Sequence, residues 1–143
     1  MLFRSDTAAE DSVSFLPALL GQEQHFPIRE AVVHHSINGS FAIRQGNWKL
    51  ELCRDSGGWS EPRPGTPKAA ALPAVQLYDL NKDIGEQTNV QEQHPEVVAR
   101  LTKLLEKYVA DGRSTAGAPQ KNAVEVKLVK DGPRAGAKKK QKQ

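Results

Sequence analysis

The sequence predicts an α+β domain: a four-stranded antiparallel sheet with one packed C-terminal helix, followed by a disordered basic tail. Three observations carry this expectation. Between Arg29 and Cys53, short apolar-rich segments are punctuated by Asn38-Gly39 and by Gln45-Gly46-Asn47, the pattern of an antiparallel meander. Val75 to Leu80 alternates again and supplies a fourth strand. From Pro95 onward, Val97, Leu101, Leu104 and Tyr108, with Val98 and Leu105 beside them, recur at helical spacing. A sheet with one greasy face and a helix with one apolar stripe cover each other.

Taken in order, residues 1–21 read as a lead-in. Asp11 or Ser12 is placed to cap a short helical turn carrying Val13, Phe15, Leu16, Leu19 and Leu20, closed by Gly21. Pro17 fits only in the first turns of such a helix. Residues 22–112 hold the sheet and the main helix, with a loop from Gln22 to Pro27. Asn38-Gly39 predicts a type I′ turn, because that turn needs positive φ at both central residues. Alternation puts Phe41 and Ile43 on one face, groups Trp48, Leu50 and Leu52, and turns Arg44, Lys49 and Glu51 the other way. His34 and His35 are neighbours in the first strand, so they must point to opposite faces.

Residues 54–75 carry Pro62, Pro64, Pro67, Pro73, Gly57, Gly58 and Gly65 and read as a long irregular connection. A loop of that length is usually functional or disordered. Asn81-Lys82-Asp83 and Gly85 then close the fourth strand as a turn. His94 is placed as a helix cap, Pro95 suits the first helical position, Glu96 favours the positive end of the dipole, and Gly112 ends the helix. Residues 113–130 form an extended segment in which Glu125 to Lys130 alternates well enough for an edge strand. Residues 131–143 are expected to be a disordered tail.

The net charge of +3 is a property of that tail. Arg134, Lys138, Lys139, Lys140 and Lys142 supply five of the 20 basic residues, against 17 acids in the whole chain, so the rest is near neutral. The basic run has no aromatic residue on which bases could stack, which argues against nucleic acid as a partner. Cys53 is the only cysteine, excluding an internal disulfide and any Cys-x-x-Cys metal site. No apolar stretch approaches the length of a membrane span. The first residues, MLFRSDTAAEDS, lack the apolar run of a signal peptide, so the chain as it stands is expected to be soluble and unexported.

Few residues invite chemistry. Cys53 ends an alternating strand without an evident base, the setting of a small buried thiol rather than a nucleophile. His34 and His35 cannot chelate one ion from one strand, since ligands there need i, i+2 spacing. Either can donate to an anion or be satisfied by the backbone. Trp59, in Gly57-Gly58-Trp59-Ser60, either offers an aromatic face to a sugar or aryl group in a cleft or anchors its own loop. His25 is a weaker candidate.

The ordered blocks SFLPALLG, REAVVHHSINGSFAIRQGNWKL, GGWSEP, QLYDLNKDIGEQTNV, HPEVV and GRSTAGAPQKN resemble the C-terminal part of arylsulfatase-type sulfatases, over about residues 10–128. LYDLNKDIGEQTN is especially similar to a family motif in which a final strand passes through a turn toward the last helix. The resemblance implies a large enzyme of alkaline-phosphatase-like architecture with a small C-terminal subdomain, a four-stranded antiparallel sheet and a helix. It implies sulfate-ester hydrolysis by a formylglycine, made from Cys or Ser in a C-x-P-S-x-R motif, beside a bound calcium. Here Cys53-Arg54-Asp55-Ser56-Gly57 has Asp55 in the proline position and no arginine following in place, and no segment gathers calcium-ligating carboxylates.

The resemblance therefore predicts residues 1–21 as the end of a truncated catalytic domain and residues 22–112 as the C-terminal subdomain, inactive alone. The expected partners are the missing N-terminal domain and a sulfate ester contacted by His34 or His35 and by Trp59. No catalytic or metal-ligating residue is expected in this chain. An intact relative would be exported, with its signal on the missing part. The alternatives are a free-standing interaction module and a non-covalent complement to a separately encoded catalytic half.

Overall fold

A computed structural model describes residues 11–22 and 27–129. His25 and the tail at 131–143 lie outside the described residues. The described elements are α1 (Leu16–Leu19), β1 (Val32–His35), β2 (Phe41–Gln45), β3 (Trp48–Glu51), α2 (Pro67–Ala70), β4 (Gln76–Asp79) and α3 (Pro95–Asp111). The strands form one sheet in the order β1-β2-β3-β4, each pair antiparallel.

Register merges the apolar groups onto one face. Val33 pairs with Ile43, Ile43 with Leu50, and Leu50 with Leu77. The helix α3 lies over β2 and β3 and turns Val97, Leu101, Leu105 and Tyr108 inward. Ile43, Leu50, Leu77, Leu101 and Leu105 are fully buried at the centre of that contact. Burying a large aliphatic side chain stabilises by about 1.5–3 kcal/mol, so these five carry much of the fold.

The two hairpins differ from each other and, in one case, from expectation. Between β1 and β2 the loop is not type I′. Among the loop residues only Gly39 has positive φ, at 77°. The N–H of Gly39 donates to the carbonyl of Ser36 (2.8 Å), and that of Ser36 to the carbonyl of Ser40 (3.0 Å). This is a three-residue loop, a tight turn followed by one left-handed residue. Asn38 keeps negative φ because its side chain has another task. Its Oδ1 accepts from the Ser40 N–H (2.9 Å) and from the hydroxyls of Ser36 and Ser40 (both 2.7 Å). Between β2 and β3, Gly46 alone takes positive φ (60°), the type II′ pattern for a two-residue loop.

Three further expectations are corrected. Asp11 and Ser12 do not cap α1: the Leu16 N–H donates to Ser14 Oγ (3.3 Å), while Asp11 Oδ1 accepts from the N–H (2.5 Å) and hydroxyl (2.7 Å) of Ser114. Burial pushes the Asp11 carboxyl up, but those hydrogen bonds and the charges of Arg29 and Arg113 outweigh it and hold it below its ordinary value. His94 occupies the N-cap of α3 without a side-chain cap bond, and its ring instead packs on Trp48 with centroids 4.8 Å apart. Residues 125–129 form no strand. The outer edge of β4 is already occupied. Asn89 Oδ1 accepts from the Leu77 N–H (2.9 Å), Asn89 Nδ2 donates to the Val75 carbonyl (3.1 Å), and the Val90 N–H donates to the Leu77 carbonyl (2.9 Å). An edge with its donors and acceptors satisfied does not recruit another strand.

Candidate functional site

The 54–75 connection is held in place more firmly than its composition suggests. Thr66 caps the short α2, its Oγ1 accepting from the Ala69 N–H (3.2 Å). Nearer the sheet, the Gly57 N–H donates to Asp55 Oδ1 (2.8 Å), the Gly58 N–H to Ser56 Oγ (3.2 Å), and Ser56 Oγ to the Ser60 carbonyl (2.7 Å). The Asn38 N–H donates to the Gly57 carbonyl (3.1 Å), fastening this loop to the β1–β2 turn. Gly57 has a φ of 64°, and a Cβ there would lie 2.5 Å from Ser36 Cβ. Only glycine allows that approach.

The three candidate residues fall in different surroundings. His35 ends β1 on the helix-facing side of the sheet, its ring edge-on to Phe41 at 4.2 Å, and it stays exposed. His34 is on the opposite face. Partial burial and then the Lys49 ammonium hold its imidazole below the ordinary histidine value, against the pull of Glu51 and Glu86. Trp59 is 79% exposed at the loop's tip. The structure thus brings the Trp59 loop to the β1–β2 turn, the same end of the sheet as His35, and separates the two histidines by the thickness of the sheet.

The sequence pattern alone does not reveal a charged cluster on the sheet face that carries His34. Lys49 Nζ contacts Glu51 (2.8 Å) and Glu86 (2.6 Å), with Glu86 held at a positive φ of 55°. Burial lowers the affinity of Lys49 for its proton, but the two carboxylates outweigh it and raise its pKa overall. Beside them Tyr78 is 6% exposed and its hydroxyl donates to Gln76 Oε1 (2.8 Å). The alternation of Lys49 and Glu51 was the available signal; the contribution of Glu86 depends on a distant turn.

Both tyrosines of the chain are buried, and burial pushes each phenol up to about 12. Nearby carboxylates add to this, Glu51 and Glu86 at Tyr78 and Glu30 at Tyr108. An unfolded chain releases these protons near the ordinary tyrosine value, so unfolding is favoured progressively as pH rises above about 10. Ultraviolet titration is expected to show no tyrosinate near pH 10 in the folded protein, and then a steep rise that coincides with loss of ellipticity. Independent ionisation of either tyrosine at its ordinary value would contradict the packing described.

Cys53 does not fit a formylglycine precursor. Its thiol donates to the Asp55 carbonyl (3.2 Å), burial pushes its pKa up, with Glu51 and Asp55 adding to the rise, and its flanking residues lack the required proline and arginine. Among the described residues, no three His, Cys, Asp or Glu side chains gather as a metal-binding group. Among the same residues, no helix is long and apolar enough to cross a membrane.

Comparison with known proteins places this fold. An N-acetylgalactosamine-6-O-sulfatase of Bacteroides thetaiotaomicron is 38% identical over 104 residues. The chain is homologous to part of a sulfatase. The alignment covers 71% of this chain and 19% of that sulfatase, so the chain spans about a fifth of the length of the curated relative it matches. A solved B. thetaiotaomicron sulfatase structure, from work on the metabolism of multiple glycosaminoglycans, superposes with a TM-score of 0.54 at 34% identity. That match covers 73% of this chain and 21% of the solved one. A scan against models of known protein families finds no match. The sulfatase relation agrees with the sheet-and-helix arrangement expected from the resemblance.

The hydrogen bonds of this structure give a physical reading of LYDLNKDIGEQTN. Asp79 Oδ1 accepts from Asn47 Nδ2 (2.7 Å), Asp83 Oδ2 from the N–H groups of Gln87 and Thr88 (both 2.7 Å), and Asn89 completes the sheet edge. The motif's polar residues hold a turn together.

Proposed function

We propose that residues 22–112 are the C-terminal subdomain of a sulfatase and that residues 1–21 are the end of the catalytic domain before it. In this reading the chain is inactive alone, and its partner is the N-terminal sulfatase domain, which holds the calcium and the formylglycine. The subdomain supports that domain and walls one side of the substrate cleft, with Trp59 and His35 at the cleft end of the sheet. His34, on the opposite face, is assigned to the Lys49–Glu51–Glu86 side. The substrate is a sulfated amino sugar, the class named for the B. thetaiotaomicron relative. The observation that carries the reading is the homology over 71% of this chain to about a fifth of a sulfatase.

The test has two arms. The purified chain, assayed on an aryl sulfate with calcium, is expected to show only background hydrolysis. A chimera in which residues of this chain replace the matching fifth of the B. thetaiotaomicron sulfatase is expected to hydrolyse N-acetylgalactosamine 6-sulfate within about tenfold of the parent. Clear turnover by the chain alone, or a folded chimera without activity, would sink the reading.

A further inference from the structure

The loop at Gly57–Ser60 combines two properties that seldom coincide, internal hydrogen bonding and an outward tryptophan. A tryptophan carries one of the largest apolar surfaces of any side chain, and leaving it in water forgoes that stabilisation. Trp59 does so at 79% exposure. A Trp that anchored its own loop would be buried by it. Here the anchoring is done by Asp55, Ser56, Gly57 and Asn38. Gly58 sits so close to the neighbouring turn that a Cβ would meet Ile37 Cγ2 at 3.2 Å, and Ile37 is itself 68% exposed.

We infer that Trp59, in the loop whose Gly58 lies against Ile37, is a platform for the apolar C–H face of a pyranose ring, binding the sugar rather than its sulfate. This rests on the sulfated-amino-sugar reading above and assigns the part of the substrate that this loop takes. The chemistry beside the indole favours a ring face over an anion. Arg54 donates to the Ala70 carbonyl (3.0 Å), and Arg63 lies 3.4 Å from Glu61, so the two arginines that flank the loop have partners of their own. The hydroxyls of Ser36 and Ser40 both donate to Asn38 Oδ1, which commits them to the turn. The edge presents outward an indole and an isoleucine, suited to sugar C–H groups and an N-acetyl methyl, with the exposed His35 at the same end of the sheet. Because the loop is already fixed, little ordering entropy opposes binding.

The chain has two tryptophans, which give two indole N–H resonances, and half-buried Trp48 against His94 serves as the internal reference. The full chain is titrated separately with unsulfated N-acetylgalactosamine and with inorganic sulfate. The sugar is expected to shift the Trp59 resonance saturably at about millimolar concentration, while sulfate leaves it unmoved. Trp59→Ala is expected to abolish sugar binding, and Trp59→Phe to weaken it about tenfold while keeping it measurable. No shift up to about 100 mM sugar, an equal shift with sulfate, or a Trp59 shift produced only by protein concentration would overturn the platform. The last outcome would assign the patch to a second copy. No catalysis enters this titration, so its failure is distinguishable from failure of the chimera.

Discussion

Leu101→Ala is expected to remove most of the chain's cooperative stability. Leu101 is fully buried on α3, in one cluster with Ile43, Leu50, Leu77 and Leu105. Truncating a buried leucine costs about 2–5 kcal/mol, the larger values where the surroundings cannot collapse into the space. Collapse is difficult here, because the helix is held against β2 and β3 by a single layer of side chains. Small domains commonly have a total stability of about 5–15 kcal/mol. This one also leaves Phe15, Leu19, Leu20, Ile37 and Trp59 largely in water, so its stability belongs near the lower end. Urea titration followed by ellipticity would show the midpoint fall sharply or the transition vanish. Lys103→Ala, on the exposed side of the same helix, is expected to change stability by no more than about 0.5 kcal/mol. A cost under about 1 kcal/mol for Leu101→Ala would mean that α3 is not the principal cover of the sheet.

How far the fold could be read in advance depended on whether each signal was local. The helix spans Pro95–Asp111, as its stripe, its opening proline and its closing glycine indicated, because each of those determinants acts within a turn or two. Strand existence and facing were legible for the same reason, since a pleated strand sorts neighbours without reference to the rest of the chain. The failures share the opposite character. Asn38 has the residue type of a left-handed turn position, but its side chain is taken by Ser36 and Ser40, a choice settled by which residues close the hairpin. Glu125 to Lys130 alternates as a strand does, yet alternation supplies no partner. The β4 edge, the nearer to it in sequence, is filled by Asn89 and Val90 from a turn more than thirty residues earlier. The opposition of His34 and His35 followed from adjacency alone. The seating of Gly57 on Ser36, and with it the position of Trp59, is a contact across about twenty residues that no local pattern encodes.

Replacing Gly112 by alanine is the second large effect expected, and it separates two contributions that glycines usually confound. Gly112 ends α3 with a φ of 62°, and the Arg113 N–H donates to the Tyr108 carbonyl (3.1 Å), as in a glycine-terminated helix. A Cβ here would lie 2.0 Å from the Gln120 carbonyl oxygen, inside the segment that folds back under the helix. That segment satisfies two of the last helical carbonyls: the Gln120 N–H donates to Asp111 (2.7 Å) and Asn122 Nδ2 to Val109 (2.7 Å). The left-handed conformation alone costs a non-glycine residue about 1–2 kcal/mol. Displacing the segment adds about 0.5–1.5 kcal/mol for each hydrogen bond lost. Gly21→Ala supplies the comparison, since Gly21 also closes a helix, has a nearly equal φ of 66°, and a Cβ there would meet nothing within 4 Å. Gly112→Ala is therefore expected to destabilise by roughly 1–3 kcal/mol more than Gly21→Ala. Amide exchange at Gln120 should quicken in the first variant and stay unchanged in the second. Equal costs, with Gln120 still protected, would show that residues 113–122 are not packed under the helix end.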